Sequence, residues 1–279
     1  MFTGNNYQKN GLVDFLMNGT FRLAEIQNNQ SKCAEYLSRI PTNVSLRDAI
    51  SEANSLCPEL AIFTKDNLEK FSGLRARDKG SMGKIAEFFF FGQLPNSFPV
   101  PDLAWGADIK ATHFKTNKQG HYNAKERLTI TNCGDRNDYS TFQPIISTKD
   151  VRSYKDYLKI RRGALFVFEH RKGKYNDFQE NMSKKLLCCF VYDLEDMDQE
   201  ITSQIDTDFE HIKETILAGK ITQAGQIFLH TAPHGAGHGS GTRAFAFTNK
   251  FVTKLVSIYT GKPITVKGRS WFIEKWHFN

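Results

Sequence analysis

Asp102, Asp108 and Lys110 have the spacing in this chain most suggestive of chemistry. In Pro101-Asp-Leu-Ala-Trp-Gly-Ala-Asp108-Ile-Lys110, residues 108 and 110 are two apart, so a strand would set them on one face. A turn through Trp105-Gly106 would swing the Asp102 carboxylate alongside. Two hard carboxylates side by side suit Mg²⁺, which takes oxygen ligands and keeps several waters. A neighbouring ammonium can orient or help deprotonate an attacking water and steady the charge growing on a phosphate. As a bare pattern, D-x5-D-x-K is weak, and a solvated strand edge would also produce it. Its context strengthens it: a loop broken by Pro95, Pro99 and Pro101 precedes it, and Glu87 sits just upstream.

The elements that must position these residues are legible from periodicity. Met82, Ile85, Ala86, Phe89 and Phe90 follow the i, i+3, i+4, i+7, i+8 rule, which predicts a helix over Ser81–Phe91 that carries Glu87 and stops at Gly92. The Phe88–Phe91 run reads as core packing on that helix. Strands are expected at Asp108–Phe114, Arg127–Thr131, Ala164–Glu169 and Leu186–Tyr192, followed by a helix over Ile201–Ala218 with Gly219 after it. Ile227–His230 reads as a short strand, Phe245–Tyr259 as a strand passing into a helix, and Ile264–Phe278 as a strand or hairpin. Residues 1–75 read as a mostly helical N-terminal lobe: Leu12, Phe15 and Leu16 make one turn, Ser45-Leu-Arg-Asp opens a capped helix, and Thr64 starts another.

At 279 residues the chain can bury a large core. No apolar run approaches the length of a membrane span, and MFTGNNYQKN does not read as a signal peptide, so no membrane and a cytoplasmic location are expected. Five cysteines without a CxxC pair read as reduced, buried thiols. Cys188 and Cys189 would point to opposite faces of one strand, which is poor geometry for a shared metal. The net charge of +7 is mild, but basic residues gather at Lys110–Lys125, Lys149–Lys174 and Lys250–Lys275 while Asp193–Glu214 is acidic. A basic face with an acidic back would suit a polyanion; ordinary solvated faces would leave the same trace.

Lys79-Gly-Ser-Met-Gly-Lys-Ile-Ala-Glu87 followed by PDLAWGADIK resembles the MutH mismatch-repair endonuclease and the Sau-type GATC-cutting restriction endonucleases. That family has a K-G-x-x-G-x-x-x-E helix, then an aspartate, then E-L-K on a strand. The resemblance sets Glu87 on the helix glutamate, Asp102 on the first aspartate and Lys110 on the strand lysine. Asp108 stands where the family usually has glutamate, and the gap from Asp102 is one residue shorter. More loosely, Lys125-Glu-Arg-Leu resembles an E-R-L strand start, and Tyr157-Leu-Lys159-Ile-Arg-Arg resembles a K-x-K-R before an apolar strand, which makes Lys159 the counterpart of a second active-site lysine. Phe209–Gln223 resembles an acidic helix ending in L-G-Q, and Arg243-Ala-Phe245 resembles an R-G-F that opens the last core segment.

The resemblance implies an α/β fold with a PD-(D/E)xK restriction-endonuclease-like core. A mixed central sheet would be flanked by helices, with two lobes around a DNA cleft, a nuclease core over 76–279 and a DNA-recognition loop near 230–246. It also implies a Mg²⁺-dependent endonuclease, with Mn²⁺ able to substitute. Asp102, Asp108 and Glu87 would face the metal, Lys110 would position the water, and Lys159 would touch the scissile phosphate or bridge active-site groups. The implied partners are double-stranded DNA, a second copy in a homodimer on DNA, and a cognate DNA methyltransferase that protects host sites. A type II restriction enzyme leads; a mismatch-repair nickase and a catalytically inactive DNA-binding protein are the alternatives.

Target recognition departs from the family. Ala232 and His234 stand where it has an arginine and a lysine around Pro233, and Ala246 stands where it has a base-contacting tyrosine. Arginine is the commonest reader of guanine, so the recognition sequence is left open. The loop His230–Arg243 reads as a DNA-groove loop using Pro233, His234, His238 and Arg243, as a His234/His238 metal site that its glycines disfavour, or as a mobile surface loop. There is no P-loop, Rossmann glycine motif or serine-hydrolase elbow.

Overall fold

Two strongly apolar runs, around Ala164–Glu169 and Leu186–Tyr192, become neighbouring interior strands of the main sheet, covered on both faces. The computed structural model describes residues 20–64, 66, 80–94, 100–171, 178–221, 224–234, 241–268 and 270–274. In chain order, α1 (Leu23–Asn28), α2 (Gln30–Arg39), β1 (Val44–Ser45), α3 (Leu46–Leu56) and α4 (Ser81–Phe91) lead into β2 (Asp108–Thr116), β3 (Tyr122–Ala124) and β4 (Leu128–Asp135). The short helices α5 (Gln143–Ile146) and α6 (Tyr157–Arg161) precede β5 (Arg162–Glu169), and α7 (Phe178–Ser183) precedes β6 (Lys185–Asp193). The long helix α8 (Gln199–Leu217), β7 (Leu229–Pro233), β8 (Thr242–Phe247), α9 (Asn249–Thr260), β9 (Ile264–Lys267) and β10 (Ser270–Ile273) complete the order.

The fold is mixed α/β, with a seven-stranded sheet in the order β1-β6-β5-β2-β3-β10-β9 and a three-stranded sheet in the order β4-β8-β7. β2 and β5 run parallel; the other paired strands are antiparallel. Period-two alternation sends Phe166, Phe168 and Cys189 to one face, where α1–α4 pack. Leu165, Val167, Cys188 and Phe190 go to the other, where the second sheet, α8 and α9 pack. The adjacent cysteines thus separate as expected, and all five thiols are buried and free. The N-terminal helices form a layer on the main sheet, and β1 joins it directly by pairing with β6.

Local sequence accounts for the helix boundaries. Ser45 accepts from the Asp48 backbone N–H at 3.2 Å and donates to the Asp48 carboxylate at 2.7 Å, closing the start of α3. Gly92 ends α4 in the left-handed conformation at φ 60°, where a side chain would strike Phe63 and Leu23. Phe88–Phe91 are all buried, and Phe90 and Phe91 lie against Phe166 of β5. The expected turn at residues 12–16 and the remainder of the helix expected from Thr64 lie outside the described residues. No helix among the described residues is long and apolar enough to cross a membrane.

The second sheet is anchored by one buried carboxylate. Asp208 of α8 accepts from the backbone N–H groups of Ile227 (3.0 Å), Phe228 (2.6 Å) and Leu229 (2.8 Å) and from the Gln204 amide (3.1 Å), which fixes the entry to β7. Asp208→Ala strands these buried donors and should cost roughly 2–4 kcal/mol in urea unfolding, against under about 0.5 kcal/mol for the exposed Glu210→Ala on the same helix.

Candidate active site

A tight turn brings the first aspartate to the strand. Leu103 N–H donates to Ala107 O at 2.9 Å, Gly106 N–H donates to Leu103 O at 2.9 Å, and Gly106 takes φ 93°, a left-handed value that favours glycine. Leu158 of α6 packs against this glycine. The chain doubles back through Trp105-Gly106, and Asp102 Oδ2 accepts from the Ile109 backbone N–H at 2.8 Å. Gln93, just past the end of α4, donates to Asp102 O at 2.7 Å and ties this turn to the helix that carries Glu87.

Asp108 and Lys110 share the face of β2 that meets the second sheet, as their spacing predicts. Lys110 Nζ lies 2.8 Å from Asp108 Oδ2 and 3.1 Å from the Ile130 carbonyl. Ile130 sits at an irregularity in the β4–β8 register, between Thr129 and Thr131, so its carbonyl is turned from the ladder to the lysine. Lys159 of α6 places Nζ 3.7 Å from Asp108 Oδ1 and is itself buried. Asp108 therefore lies between two ammonium groups that come from different parts of the chain.

The electrostatics favour a further positive charge. Burial first, and then the Asp108 charge, raise the Asp102 carboxyl above its ordinary range, although the Ile109 N–H, Lys110 and Lys159 pull the other way. Glu87 is pushed up to about 7 by burial, with Asp102 the next cause and Asp108 adding to it against Lys110 and Lys84. Asp108 Oδ1 is a buried oxygen without a hydrogen-bond donor. Hard oxygen donors, an oxygen left unsatisfied and mutually repelling carboxylates fit a divalent cation held by Asp102 and Asp108. No group of three or more His, Cys, Asp or Glu side chains is arranged to hold a metal among the described residues, so Glu87 is not drawn into a ready three-carboxylate cage.

Arginines hold this arrangement from behind. Asp193 at the end of β6 accepts from Arg161 at 2.6 and 2.9 Å and from Arg162 at 2.7 Å, while Arg162 also donates to Trp105 O at 3.0 Å. One buried carboxylate thus fixes α6, with its Lys159, to the turn between Asp102 and Asp108. Part of the basic gathering at 149–174 is consumed in this internal pairing, and Arg152 is paired with Asp206. Sequence reading missed Gln93, Ile130, Arg161, Arg162 and Asp193. Only the pair Arg161-Arg162, adjacent to an apolar strand start, left a visible trace.

The residues expected to contact DNA belong to β7, β8 and the connection between them. Pro233 ends β7 exposed, its carbonyl held by Arg127 at 2.7 Å, and His234 N–H donates to Thr242 O at 3.0 Å, closing the base of the β7–β8 connection. Arg243 is a buried strand residue, 7% exposed, whose guanidinium donates to the carbonyls of Gly241 and Thr242. Ala232 and Ala246 are buried as well, so in this chain those two positions face the core. His238 lies outside the described residues. Two cavities of about 530 and 470 Å³ flank the outer side of β6, and neither is lined by a residue of the cluster. The larger is bordered by Asp193, Asp196 and Asp198, which suits a polyanion poorly.

No protein-family model matches the chain, and no curated protein matches it either. Any functional reading must therefore rest on the geometry just described.

Glu87 offers a test of that geometry that needs no substrate. Its folded pKa of about 7 stands above the ordinary 4.5, so folding takes up a proton, and stability falls as pH rises between those values and levels off above 7. In metal-free buffer, Glu87→Gln should match the parent at pH 4 and exceed its stability at pH 8 by on the order of 1–3 kcal/mol. A pH-independent difference in urea midpoints would show that neither burial nor the neighbouring carboxylates raise the Glu87 carboxyl.

Proposed function

We propose that this chain is a Mg²⁺-dependent endonuclease with a PD-(D/E)xK core that hydrolyses phosphodiester bonds in double-stranded DNA, acting as a type II restriction enzyme. The observation that carries this reading is Asp108 at the start of β2, 2.8 Å from Lys110, 3.7 Å from Lys159 and beside Asp102. Acids and amines converge there from the turn at 102, from β2 and from α6. A surface salt bridge would not need that convergence, nor would it leave a buried carboxylate oxygen without a donor.

Asp102 and Asp108 would hold the cation, with Glu87 as a further contact to it or to its water. Bound there, a divalent cation would supply Lewis-acid polarisation of the phosphate and a more acidic water. Lys110 has three ammonium protons, and its bonds to Asp108 and Ile130 leave one for the attacking water or a phosphate oxygen. Asp108 and Ile130 also fix the direction from which that ammonium acts. Lys159 would steady negative charge on the phosphate as the water oxygen bonds to phosphorus and one P–O ester bond breaks. The products are an alcohol and a phosphate monoester, and the proton from water passes to the leaving oxygen.

The β4 strand links the cluster to the β7–β8 connection. Its Ile130 carbonyl touches the site through Lys110, and its far end pairs with β8 beside that connection. Three residues of strand lie between Ile130 and Gly134, a span of roughly 13 Å at the usual rise. Recognition would fall to Pro233, His234 and the residues that follow them. The buried Arg243 would shape the strand, and the recognition sequence is left to the cleavage experiment. A homodimer on DNA and a protecting methyltransferase belong to the same reading.

Purified protein should cut unmodified plasmid and genomic DNA in Mg²⁺ and lose activity in a chelator, with sequenced fragment ends giving the site. Linear plasmid product supports the restriction reading; nicked circles alone would point to a repair nickase. Asp108→Ala and Lys110→Ala should each lower the cleavage rate by roughly 10²–10⁴-fold while folding and most DNA binding persist. Full cleavage by Asp108→Ala, or tight DNA binding with no cleavage of any substrate, would sink the nuclease assignment.

A further inference from the structure

Gly163 separates Asp108 from Tyr192 in one row across three strands. Asp108 pairs with Gly163 in the β2–β5 ladder, and Gly163 pairs with Tyr192 in the β5–β6 ladder. Residues paired across neighbouring strands project to the same face, so the carboxylate and the phenol share the face that meets the second sheet. Neighbouring strands lie about 4.8 Å apart, less than the length of a tyrosine side chain. The ring of Tyr192 therefore crosses the position where residue 163 would otherwise project. A Cβ on residue 163 would meet the ring at 2.5 Å and Oη at 2.7 Å. Glycine is needed here for close approach, since its strand conformation is one that any residue adopts.

Tyr192 is fully buried, and its hydroxyl has no hydrogen-bond partner. An unsatisfied buried hydroxyl is costly, on the order of 1–3 kcal/mol. Packing alone does not account for it: the ring meets Phe247 edge-on at 6.2 Å, and a phenylalanine would fill the same space without that cost. The other unsatisfied polar atom in the row is Asp108 Oδ1. Burial first, and then the Asp108 charge, hold the phenol far above its usual range, so it stays protonated and able to donate.

We propose that Tyr192 is a positioning residue for Asp108: its hydroxyl, carried across Gly163, donates through one bridging water to the carboxylate and sets the orientation in which Asp108 receives a divalent cation. The inference rests on the cation-site reading of Asp102 and Asp108. Oδ1 has two lone pairs, so a donor on one would fix the direction of the other toward the cation, while Lys110 holds Oδ2.

The test is Mg²⁺ titration of the full chain without DNA, followed by calorimetry and by tyrosine difference absorbance. Wild-type protein should bind Mg²⁺ with a tyrosine difference signal that is absent from Tyr192→Phe. That variant should bind Mg²⁺ about three- to tenfold more weakly, the loss expected for one hydrogen bond. Its metal-free melting temperature should stay close to that of the wild type, since the ring and its packing on Phe247 are kept. The Mg²⁺ concentration for half-maximal cleavage should rise by the same factor, with kcat recovered at saturating Mg²⁺. The tyrosine signal should also vanish in Asp108→Asn, which leaves Tyr192 untouched. Equal Mg²⁺ affinity in Tyr192→Phe, or a tyrosine signal that persists in Asp108→Asn, overturns the role of Tyr192 and leaves the cation site standing. No Mg²⁺ binding by the wild type overturns both.

Discussion

The candidate site depends on holding the Asp108 carboxylate between two ammonium groups in a largely buried place. Lys110 and Lys159 approach its two oxygens at 2.8 and 3.7 Å, with Asp102 close enough to feel its charge. Burying charges costs several kcal/mol per ion unless partners compensate. The surrounding structure reads as a set of devices that supply the compensation and prevent its loss. The left-handed Gly106 lets the turn close, Gln93 ties that turn to α4, and the irregular Ile130 position frees a carbonyl for Lys110.

The Arg161–Arg162–Asp193 group performs the same service one layer back. Asp193 accepts three hydrogen bonds from the two guanidinium groups and a fourth from the Glu195 backbone. Burial opposes its charge most strongly, but the two arginines outweigh it and hold the carboxyl below its usual range. Arg162 then reaches Trp105 O inside the aspartate turn. The start of β5, the end of β6 and the turn before β2 are therefore held together by charge-assisted bonds, while the middle of the same sheet is held by apolar burial on both faces. Apolar packing sets the layers, and directional bonds set the end that carries the candidate site to within hydrogen-bond tolerance.

The same logic separates two buried carboxylates, Asp208 and Asp108. Asp208 uses its oxygens entirely on backbone and amide donors, so it is an anchor with no capacity left for chemistry. Asp108 retains an oxygen that accepts no hydrogen bond, with the Lys159 ammonium 3.7 Å away. Both are buried acids on regular elements; what distinguishes them is unsatisfied bonding capacity.

The sequence by itself determined the elements whose signals are local. The helix over Ser81–Phe91 and its glycine stop follow from side-chain period and from the one residue that tolerates φ 60°. The strands around Ala164–Glu169 and Leu186–Tyr192, and the α8 and α9 helices, follow from apolar patterning, with ends shifted by a residue or two where hydrogen bonding extends them. The shared face of Asp108 and Lys110 and the return of Asp102 were also local, being a strand period and a glycine turn. Only the tertiary structure decided what depends on partners distant in the chain. It brought Lys159 to Asp108, turned Ile130 O toward Lys110, buried Arg243, Ala232 and Ala246, and spent Arg161 and Arg162 on Asp193. Charge and residue type are written locally, but whether a charged group is spent on a neighbour or left open to a ligand depends on strand pairing across long separations, which periodicity does not encode.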